Sequence, residues 1–353
     1  MAYTTIDNPE LFFQVKTYTG TGSAVSITLD GSEDMQPDWV WIKNRGNSAR
    51  HMLYDVIRGV QETLFSDLTN AETAGAGHLT AFNSDGFSLG DNSGTGSSNG
   101  SSETYVAWCW KAGGSASSNS NGSITSSVSA SSTSGFSIAT YTGNGTDNAT
   151  FGHGLSSAPE MVWLKQRNST GNWRVGATPM DSSFDEVMNL NLSNAKASAS
   201  TIFSAVAPNS TVVTLGTESD ANGSSNTFVA YSFHSVQGYS KISKYTGNGS
   251  TDGPFVYCGF KPAWVIVKRL AGADQGWYIW DNRSDGFNPR NFNLEANDSV
   301  AIDDGNQRID LLSNGFKWRV SDTIVNNSGT DYLFMAFAES PFVNSNGVPN
   351  NAE

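Results

Sequence analysis

The sequence is poor in charged residues, cysteine and histidine. Only 15% of its 353 residues are charged, against about 25% in an average soluble protein. Two cysteines cannot make a disulfide framework, and four scattered histidines do not form a shared metal site. No run approaches the roughly 18 consecutive apolar residues that a membrane-spanning helix requires. Membrane insertion, a metal ion and a cofactor are therefore not expected.

Basic residues are the scarcer of the two charge types. Lys and Arg number 20 against 33 Asp and Glu, which gives a net charge of −13. Because a negative field repels phosphate and no Lys/Arg cluster is present, nucleic-acid binding is not expected. The first ten residues contain neither the basic region nor the apolar core of a signal peptide. We expect synthesis in a cytoplasm without a conventional secretion signal.

Aromatic and small polar residues dominate what remains. The 10 Trp, 19 Phe and 11 Tyr indicate a folded chain, since disordered segments are poor in aromatic residues. Short apolar segments alternate with Gly-Asn-Gly, Ser-Asp-Gly and Ser-Asn-Gly, which is typical of strands joined by tight turns. Helical periodicity is confined to one short segment, 55–68. The pattern predicts an all-β fold.

Three landmarks recur three times in the same order. The Tyr-Thr-Gly motif starts at Tyr18, Tyr141 and Tyr245, at intervals of 123 and 104 residues. A proline-led apolar strand follows, and a strand that closes each unit is aligned at 105–108, 228–231 and 334–337. The spacing predicts three tandem β-sandwich or jelly-roll-like repeats of about 105 residues. The expected boundaries are a first sandwich at 1–112, a Ser/Gly-rich flexible linker at 113–134, a second sandwich at 135–238, a third at 239–343 and a polar, loose tail at 344–353.

Motifs for catalysis or metal binding are weak. Asp38 and Glu160 align after the landmark proline, but Ala263 stands at the third position, so no carboxylate is common to the repeats. A calcium-loop match at 281–292 fails because it lacks the closing Glu. The turn at 303–306 could hold calcium, although an exposed acidic turn is the more ordinary interpretation. We expect no catalytic residue and no enzymatic activity.

Tryptophan supplies the candidate contact residues. Those in the repeated strands are expected to fill cores. Trp173, Trp277 and Trp280 lie outside these strands, and aromatic faces bind sugar rings and anchor protein interfaces. They are therefore candidates for surface or ligand contact, with a packing role at least as common for such residues. Cys109 and Cys258 are expected to be buried free thiols.

Four motifs carry a resemblance to a known group of proteins. They are Tyr-Thr-Gly-(Thr/Asn)-Gly, Pro-Asp-Trp-Val-Trp-Ile-Lys-Asn-Arg at 37–45, Phe-Asn-Ser-Asp-Gly-Phe-Ser-Leu-Gly at 82–90, and Tyr-Val-Ala-Trp-Cys-Trp-Lys-Ala-Gly-Gly at 105–114. The chain resembles a recurrent, uncharacterised, lectin-like jelly-roll domain in surface proteins of tailed bacteriophages, especially those of marine bacteria. The resemblance covers 1–240 well and the third repeat more loosely. It implies a location on the virion surface and carries over no sugar-binding residue.

The leading functional hypothesis is a non-enzymatic bacteriophage virion surface protein. It would be a tail fibre or receptor-binding appendage, in which the sandwiches form a rod with a tethered first unit. The later units would contact a glycan or protein of the host cell. Expected partners are other virion proteins and further copies of the chain, with a homotrimer favoured because association would bury exposed aromatic positions. The alternatives are a capsid-decorating protein (cement or head fibre) and an array of carbohydrate-binding modules.

Overall fold

Antiparallel strands make up nearly all of the regular structure. The computed structural model describes residues 3–75, 77–92, 97–272, 274–305 and 308–350. In these ranges the chain forms six antiparallel sheets, so the all-β prediction is confirmed. Helical segments are single turns, and no helix of the described residues could cross a membrane. They are a 3-10 turn at Pro9–Leu11, α1 (Ser200–Phe203), α2 (Ser219–Asn222) and α3 (Thr323–Asn326).

The first sandwich pairs a six-stranded sheet with a three-stranded sheet. Its strands are β1 (Phe13–Thr19), β2 (Val25–Ile27), β3 (Trp39–Asn44), β4 (Met52–Asp55), β5 (Glu62–Phe65), β6 (Thr73–Ala74), β7 (Leu79–Asn83), β8 (Gly86–Leu89) and β9 (Thr104–Trp110). The large sheet has the order β1-β9-β3-β4-β5-β6, and the small sheet has the order β2-β8-β7.

The second sandwich has the same central strand order, with two strands added at one edge. Its strands are β10 (Ser117–Asn119), β11 (Ser126–Ser131), β12 (Phe136–Thr142), β13 (Ala149–Gly152), β14 (Met161–Gln166), β15 (Arg174–Ala177), β16 (Glu186–Asn189), β17 (Ala197–Ser198), β18 (Val212–Leu215) and β19 (Thr227–Phe233). The large sheet has the order β10-β11-β12-β19-β14-β15-β16-β17, and β13 pairs with β18.

The third sandwich contains the last eight strands. They are β20 (Ser240–Thr246), β21 (Phe255–Tyr257), β22 (Phe260–Arg269), β23 (Trp277–Asp281), β24 (Leu294–Glu295), β25 (Ile309–Leu312), β26 (Gly315–Trp318) and β27 (Asp331–Pro341). The large sheet has the order β20-β27-β22-β23-β24, and the small sheet has the order β21-β26-β25.

Each large sheet is buried on both faces. One face meets the small sheet of the same sandwich, so that Val40, Val162 and Val265 lie in three separate sandwich cores. The opposite faces of all three large sheets meet in a single cluster, which we call the shared core and to which Trp39 and Trp264 belong. A strand covered on both sides needs apolar residues at successive positions. This explains why four successive apolar residues precede the lysine in each landmark strand.

Aromatic contacts across the shared core join the sandwiches into one body. The ring centroids of Trp39 in the first sandwich and Tyr231 in the second are 4.7 Å apart. Those of Trp110 and Trp264 join the first sandwich to the third at 5.5 Å. The expected rod with a tethered first unit is therefore wrong, since each large sheet needs the other two to cover its outer face.

The segment expected to be a flexible linker is part of the second sandwich. Its strands β10 and β11 extend the large sheet beyond β12 through antiparallel pairing. Ile124 and Val128 anchor it, since both are buried in the core of this sandwich and Ile124 forms a bridge with Phe151. The linker prediction for 113–134 is wrong because a few buried apolar side chains tie down a Ser/Gly-rich sequence.

Three smaller expectations also need correction. The segment 55–68 forms a turn followed by β5 and no helix. Tyr332 lies opposite Tyr245 just as Tyr105 lies opposite Tyr18, so the third copy of the closing landmark starts at Tyr332 and not at Phe334.

The tail expected to be loose is held to the rest of the protein as far as Asn350. The amide of Ser345 donates to Asp7 Oδ1 at 2.6 Å, and the side chain of Asn350 donates to the carbonyl oxygen of Ser313. Residues 351–353 lie outside the described residues.

Removing one ring from the shared core should destabilise all three sandwiches together. We expect Trp39→Ala to lower the free energy of unfolding by about 3–5 kcal/mol, because it leaves a cavity in the fully buried cluster. Urea unfolding should remain a single transition by both tryptophan fluorescence and circular dichroism. The control is Phe287→Ala, since Phe287 is 85% exposed and its loss should change stability by less than about 0.5 kcal/mol. Separate transitions in Trp39→Ala would contradict the shared core.

Candidate contact site

The three tryptophans expected at the surface are buried. Trp173 is 0% exposed, and Trp277 and Trp280 are each 1% exposed. Trp173 and Trp277 belong to the shared core, whereas Trp280 packs against Trp318 inside the third sandwich at a centroid distance of 5.0 Å. This corrects the expectation of surface contact. The three residues lie on β15 and β23 or immediately before them, and these strands neighbour the landmark strands in the large sheets.

Trp173 and Trp277 join neighbouring sandwiches through their indole nitrogens. Trp173 Nε1 donates to the carbonyl oxygen of Phe65 at 2.8 Å, and Trp277 Nε1 donates to that of Asn189 at 2.9 Å. In the first sandwich His51 takes the corresponding place before β4, with Nδ1 accepting from Trp41 Nε1 at 2.9 Å. Burial lowers the pKa of His51 well below its usual value. The ring is therefore neutral at pH 7.

A buried lysine from each landmark strand crosses to the next sandwich. Lys43, Lys165 and Lys268 are at most 1% exposed. Their Nζ atoms donate to carbonyl oxygens of another sandwich: Lys43 to Ser299 at 3.1 Å, Lys165 to Thr69 at 3.2 Å and Lys268 to Ser193 at 2.6 Å. The first sandwich thus reaches the third, the second reaches the first, and the third reaches the second. These contacts form a closed ring.

Burial lowers the pKa of these lysines. The pKa falls to about 8 for Lys43 and Lys165 and to about 7 for Lys268, while nearby carboxylates act in the opposite direction. The lysines have no carboxylate within ion-pair distance among the described residues, and carbonyl oxygens accept their hydrogen bonds instead. They are structural groups that close the boundaries between sandwiches.

Two buried carboxylates also serve the boundaries. The donor–acceptor pairs are Tyr231 OH to Asp55 Oδ2 at 2.7 Å and Trp108 Nε1 to Asp281 Oδ2 at 3.1 Å. The strand register places Met335 and Ala177 at the corresponding positions of the third boundary. Donor and acceptor are there replaced together by apolar side chains, so no buried polar group is left unpaired. These carboxylates are packing groups.

The described residues contain no cluster of three His, Cys, Asp or Glu side chains that could hold a metal ion. Of the acidic turn at 303–306, Asn306 lies outside the described residues. Cys109 and Cys258 are free and buried, as predicted, and burial raises the pKa of both thiols. A buried thiol with a raised pKa is a poor nucleophile.

The exposed aromatic side chains of the described residues all belong to the third sandwich. They are Phe255, Tyr257 and Phe287. Phe255 and Tyr257 lie on the edge strand β21 and are 45% and 54% exposed, whereas Val256 between them is buried. Because side chains alternate along a strand, both rings lie on the outer side of the small sheet. We call this outer surface the aromatic face.

The corresponding positions of the other sandwiches carry small residues. Val256 lies opposite Phe316, as Ile27 lies opposite Phe87 and Phe151 lies opposite Val213. The flanking residues are Ser26 and Thr28 in the first sandwich, Thr150 and Gly152 in the second, and Phe255 and Tyr257 in the third. The shared strand pairing therefore does not require aromatic residues at this place. The aromatic face is a property of the third sandwich alone among these corresponding positions.

The neighbours of the aromatic face complete a mixed surface. Gly315 lies opposite Tyr257 and also opposite the half-buried Leu312 on the next strand. Lys317 lies opposite Phe255, and its Nζ forms an ion pair with Asp252 at 2.7 Å. The hydroxyl groups of Tyr257 and Tyr3 are 3.0 Å apart. Flat apolar rings beside paired charges and hydroxyl groups suit a ligand with both apolar and polar faces.

The sheets and the shared core define the class of this protein: an all-β protein of three two-sheet sandwiches packed as one body. Within that class the chain belongs to the family described as a domain of unknown function, DUF7483, whose model matches residues 8–341. The match spans all three sandwiches. No curated protein and no solved structure matches the chain.

Stability should depend on pH through the buried lysines. An unfolded lysine has a pKa of about 10.4, so above about pH 7 the unfolded chain binds more protons than the folded chain. The free energy of unfolding should therefore rise between about pH 7 and pH 9, by about 1–2 kcal/mol for each lysine. Above about pH 10 it should fall, because burial raises the pKa of Tyr141 and Tyr231 and they keep protons that the unfolded chain loses.

Urea unfolding at a series of pH values measures this slope. In Lys268→Met the slope between about pH 7 and pH 9 should decrease, even though the variant is less stable overall. A matched control is Lys16→Met, since Lys16 lies in an exposed ion pair with Asp30 and should leave the slope unchanged. An equal slope in the wild type and in Lys268→Met would refute the assignment.

Proposed function

We propose that the chain is a non-enzymatic surface protein of a bacteriophage particle, and that its aromatic face contacts a glycan of the host cell surface. The resemblance of the landmark motifs to phage virion proteins supports the location. The observation that carries the contact is the pair of exposed rings, Phe255 and Tyr257, at positions where the other sandwiches have small residues.

Physical chemistry favours a sugar as the ligand of this face. An aromatic side chain at the surface loses the stabilisation that burial would give it, so two on one strand indicate contact with a partner. The apolar faces of sugar rings stack on aromatic rings, and their hydroxyl groups accept and donate hydrogen bonds. The phenol of Tyr257 and the ammonium of Lys317 provide polar groups beside the rings.

The cleft over the second sandwich and the buried carboxylates of the large sheets support a role in binding and not in catalysis. A cleft of about 420 Å³ over the second sandwich is lined by Ser, Thr, Asn, Gly and a few apolar residues. Its described lining includes Ser117, Asn119 and Thr211 and carries no charged side chain. Asp55 and Asp281, the buried carboxylates of the large sheets, are occupied by hydrogen bonds between sandwiches. Neither arrangement has the general acid and base that hydrolysis of a glycan uses.

The argument that favoured a homotrimer no longer applies. That expectation was based on exposed aromatic positions in the strands, which symmetric association would bury. Trp39, Trp163 and Trp264 are instead buried within one chain. Other virion proteins remain the proposed partners for attachment to the particle.

A second candidate function is decoration of the capsid, as a cement protein or head fibre. The observation that favours it is compactness: three sandwiches surround one core, and the helices of the described residues are single turns. No long coiled coil is present among these residues to form a fibre shaft. A compact body fits either a knob at the end of a fibre or a protein seated on the shell.

The contact is tested by a double variant that copies the first sandwich. Phe255→Ser with Tyr257→Thr introduces the residues that stand at positions 26 and 28, so the fold should be retained. We expect binding to an array of bacterial surface glycans to fall at least about tenfold, since two stacking rings are lost. Removal of residues 240–353 is less informative, because it would uncover the shared core.

Phe287→Ser is the matched control, since it removes a more exposed ring that lies in a loop outside the strands of the small sheet. Equal glycan binding by the double variant and the wild type would refute the contact. Circular dichroism and the unfolding transition of both variants should match the wild type.

The location is tested separately by immunogold labelling of phage particles that encode the chain. Label at the tail tip supports a receptor-binding appendage, and label over the head supports a decorating protein. Particles without label would contradict the virion assignment, whatever the result of the glycan measurement.

A further inference from the structure

A cleft of about 400 Å³ opens between the second and third sandwiches, and its lining brings basic residues together. Lys196 comes from the second sandwich, and Lys244 and Arg269 come from the third. Leu270 and Met180 supply apolar surface, and the backbone at 271–272 and 329–330 completes the lining. The volume falls in the range of about 300–1,000 Å³ that is usual for small-molecule sites.

The charge of this lining is opposite to that of the whole protein. Three basic side chains and one acidic side chain, Asp331, line the cleft, whereas the chain carries a net charge of −13. Charges farther away than about 10 Å are largely screened at 0.1 M salt, so the local lining governs the interaction with a ligand. Lys196 and Lys244 are held in ion pairs with Glu186 and Asp331, so an anion entering the cleft meets mainly the positive charge of Arg269, which has no ion-pair partner among the described residues.

Arg269 is the cation best placed to bind a ligand. Its Nε donates to the carbonyl oxygen of Ala271 at 2.8 Å, and its terminal nitrogens make no hydrogen bond to a described residue. A Cβ at Gly272 would lie 2.6 Å from a terminal nitrogen of Arg269, so glycine leaves room for the guanidinium. Lys244 is half-exposed and forms an ion pair with Asp331 at 3.0 Å. Lys196 pairs with Glu186.

The other sandwiches carry no comparable charge at these positions. By the register of the large sheets, the position of Lys244 is taken by Thr17 in the first sandwich and Thr140 in the second. The position of Arg269 is taken by Asn44 and Gln166. The position of Asp331 is taken by Thr104 and Thr227. At the boundary between the first two sandwiches, Arg167 is occupied by Glu72, with their closest atoms 2.7 Å apart. The strand pairing therefore does not require the basic residues of the cleft.

We propose that this cleft binds an anionic sugar unit, one that carries a carboxylate or a sulfate group, from an acidic polysaccharide. The guanidinium of Arg269 presents two parallel N–H groups, which match the paired oxygens of a carboxylate or sulfate. Lys244 and Lys196 lie on either side as further N–H donors, each held in an ion pair, and the hydroxyl of Thr330 and the backbone provide hydrogen bonds to the sugar. The cleft and the aromatic face share no residue. Its biological role rests on the proposed function, but the binding itself does not.

The test uses the purified full-length chain and three probes: dextran sulfate, polygalacturonate and uncharged dextran. We expect binding of at least one charged probe by isothermal titration calorimetry, with no binding of dextran, and an affinity that falls as salt rises. Preference between the two charged probes distinguishes a sulfated from a carboxylated ligand. Absence of binding to both charged probes would overturn the proposal.

Repeat-matched substitutions locate the binding. Arg269→Gln introduces the residue that the second sandwich has at this position, and we expect it to weaken binding at least about tenfold through loss of a bidentate contact. Lys244→Thr, which also copies the second sandwich, should weaken it less. The control Lys111→Gln removes one positive charge from the first sandwich, just after β9, and should leave the affinity for the charged probe unchanged because Lys111 belongs to neither the cleft nor the aromatic face.

The outcomes separate this proposal from the proposed function. Equal affinity of Arg269→Gln and the wild type for the charged probe would overturn the proposal that the cleft binds an anionic sugar. This holds even if the double variant Phe255→Ser, Tyr257→Thr loses glycan binding. Loss of probe binding in Arg269→Gln would support the cleft, even if that double variant binds glycans normally. Unfolding transitions of both variants serve to show that the fold is intact.

Discussion

The need of each large sheet to bury both of its faces governs the rest of the structure. A small sheet covers one face, and only the other two sandwiches can cover the second. Burial of apolar surface is the main favourable term in folding, so the sandwiches are stable together and not as separate beads. The tryptophan content follows from this arrangement, because large rings fill the wide space between three sheets.

A core that joins three sheets must also satisfy the polar groups that border it. Backbone carbonyl groups at the boundaries lie away from water and need donors. Lys43, Lys165 and Lys268 reach these carbonyls with a long side chain, and the indoles of Trp173 and Trp277 reach others. Polar residues at the boundaries therefore hold the orientation of the sandwiches, while the rings supply most of the burial.

Sequence reasoning could predict the strands better than their partners. Alternating apolar residues and turn motifs showed an all-β fold, but periodicity does not reveal what covers the outer face of a strand, so a rod was expected. Trp173 is predicted at the surface because it lies outside the repeated strands, whereas the pairing of β15 with β14 brings it beside a landmark strand. Phe255 and Tyr257 flank Val256, and three successive apolar residues look like a buried strand until the pairing shows the outer side. The basic cleft joins residues up to 151 positions apart, from Met180 to Asp331, and no local pattern connects them.

Because the three sandwiches lie in one chain, each boundary between them is formed by different residues and can be changed by its own substitutions. In a homotrimer a single substitution would appear at all three boundaries and all three outer faces at once. Here the pair Asp55 and Tyr231 and the pair Ala177 and Met335 occupy corresponding positions at two boundaries. One pair is hydrogen-bonded and the other is apolar, so the same position is packed differently at each boundary. The outer residues of the third sandwich can likewise change while the residues that all three sandwiches contribute to the shared core stay the same. A covalent triplet is thus free to evolve a new surface on one side without altering the other two.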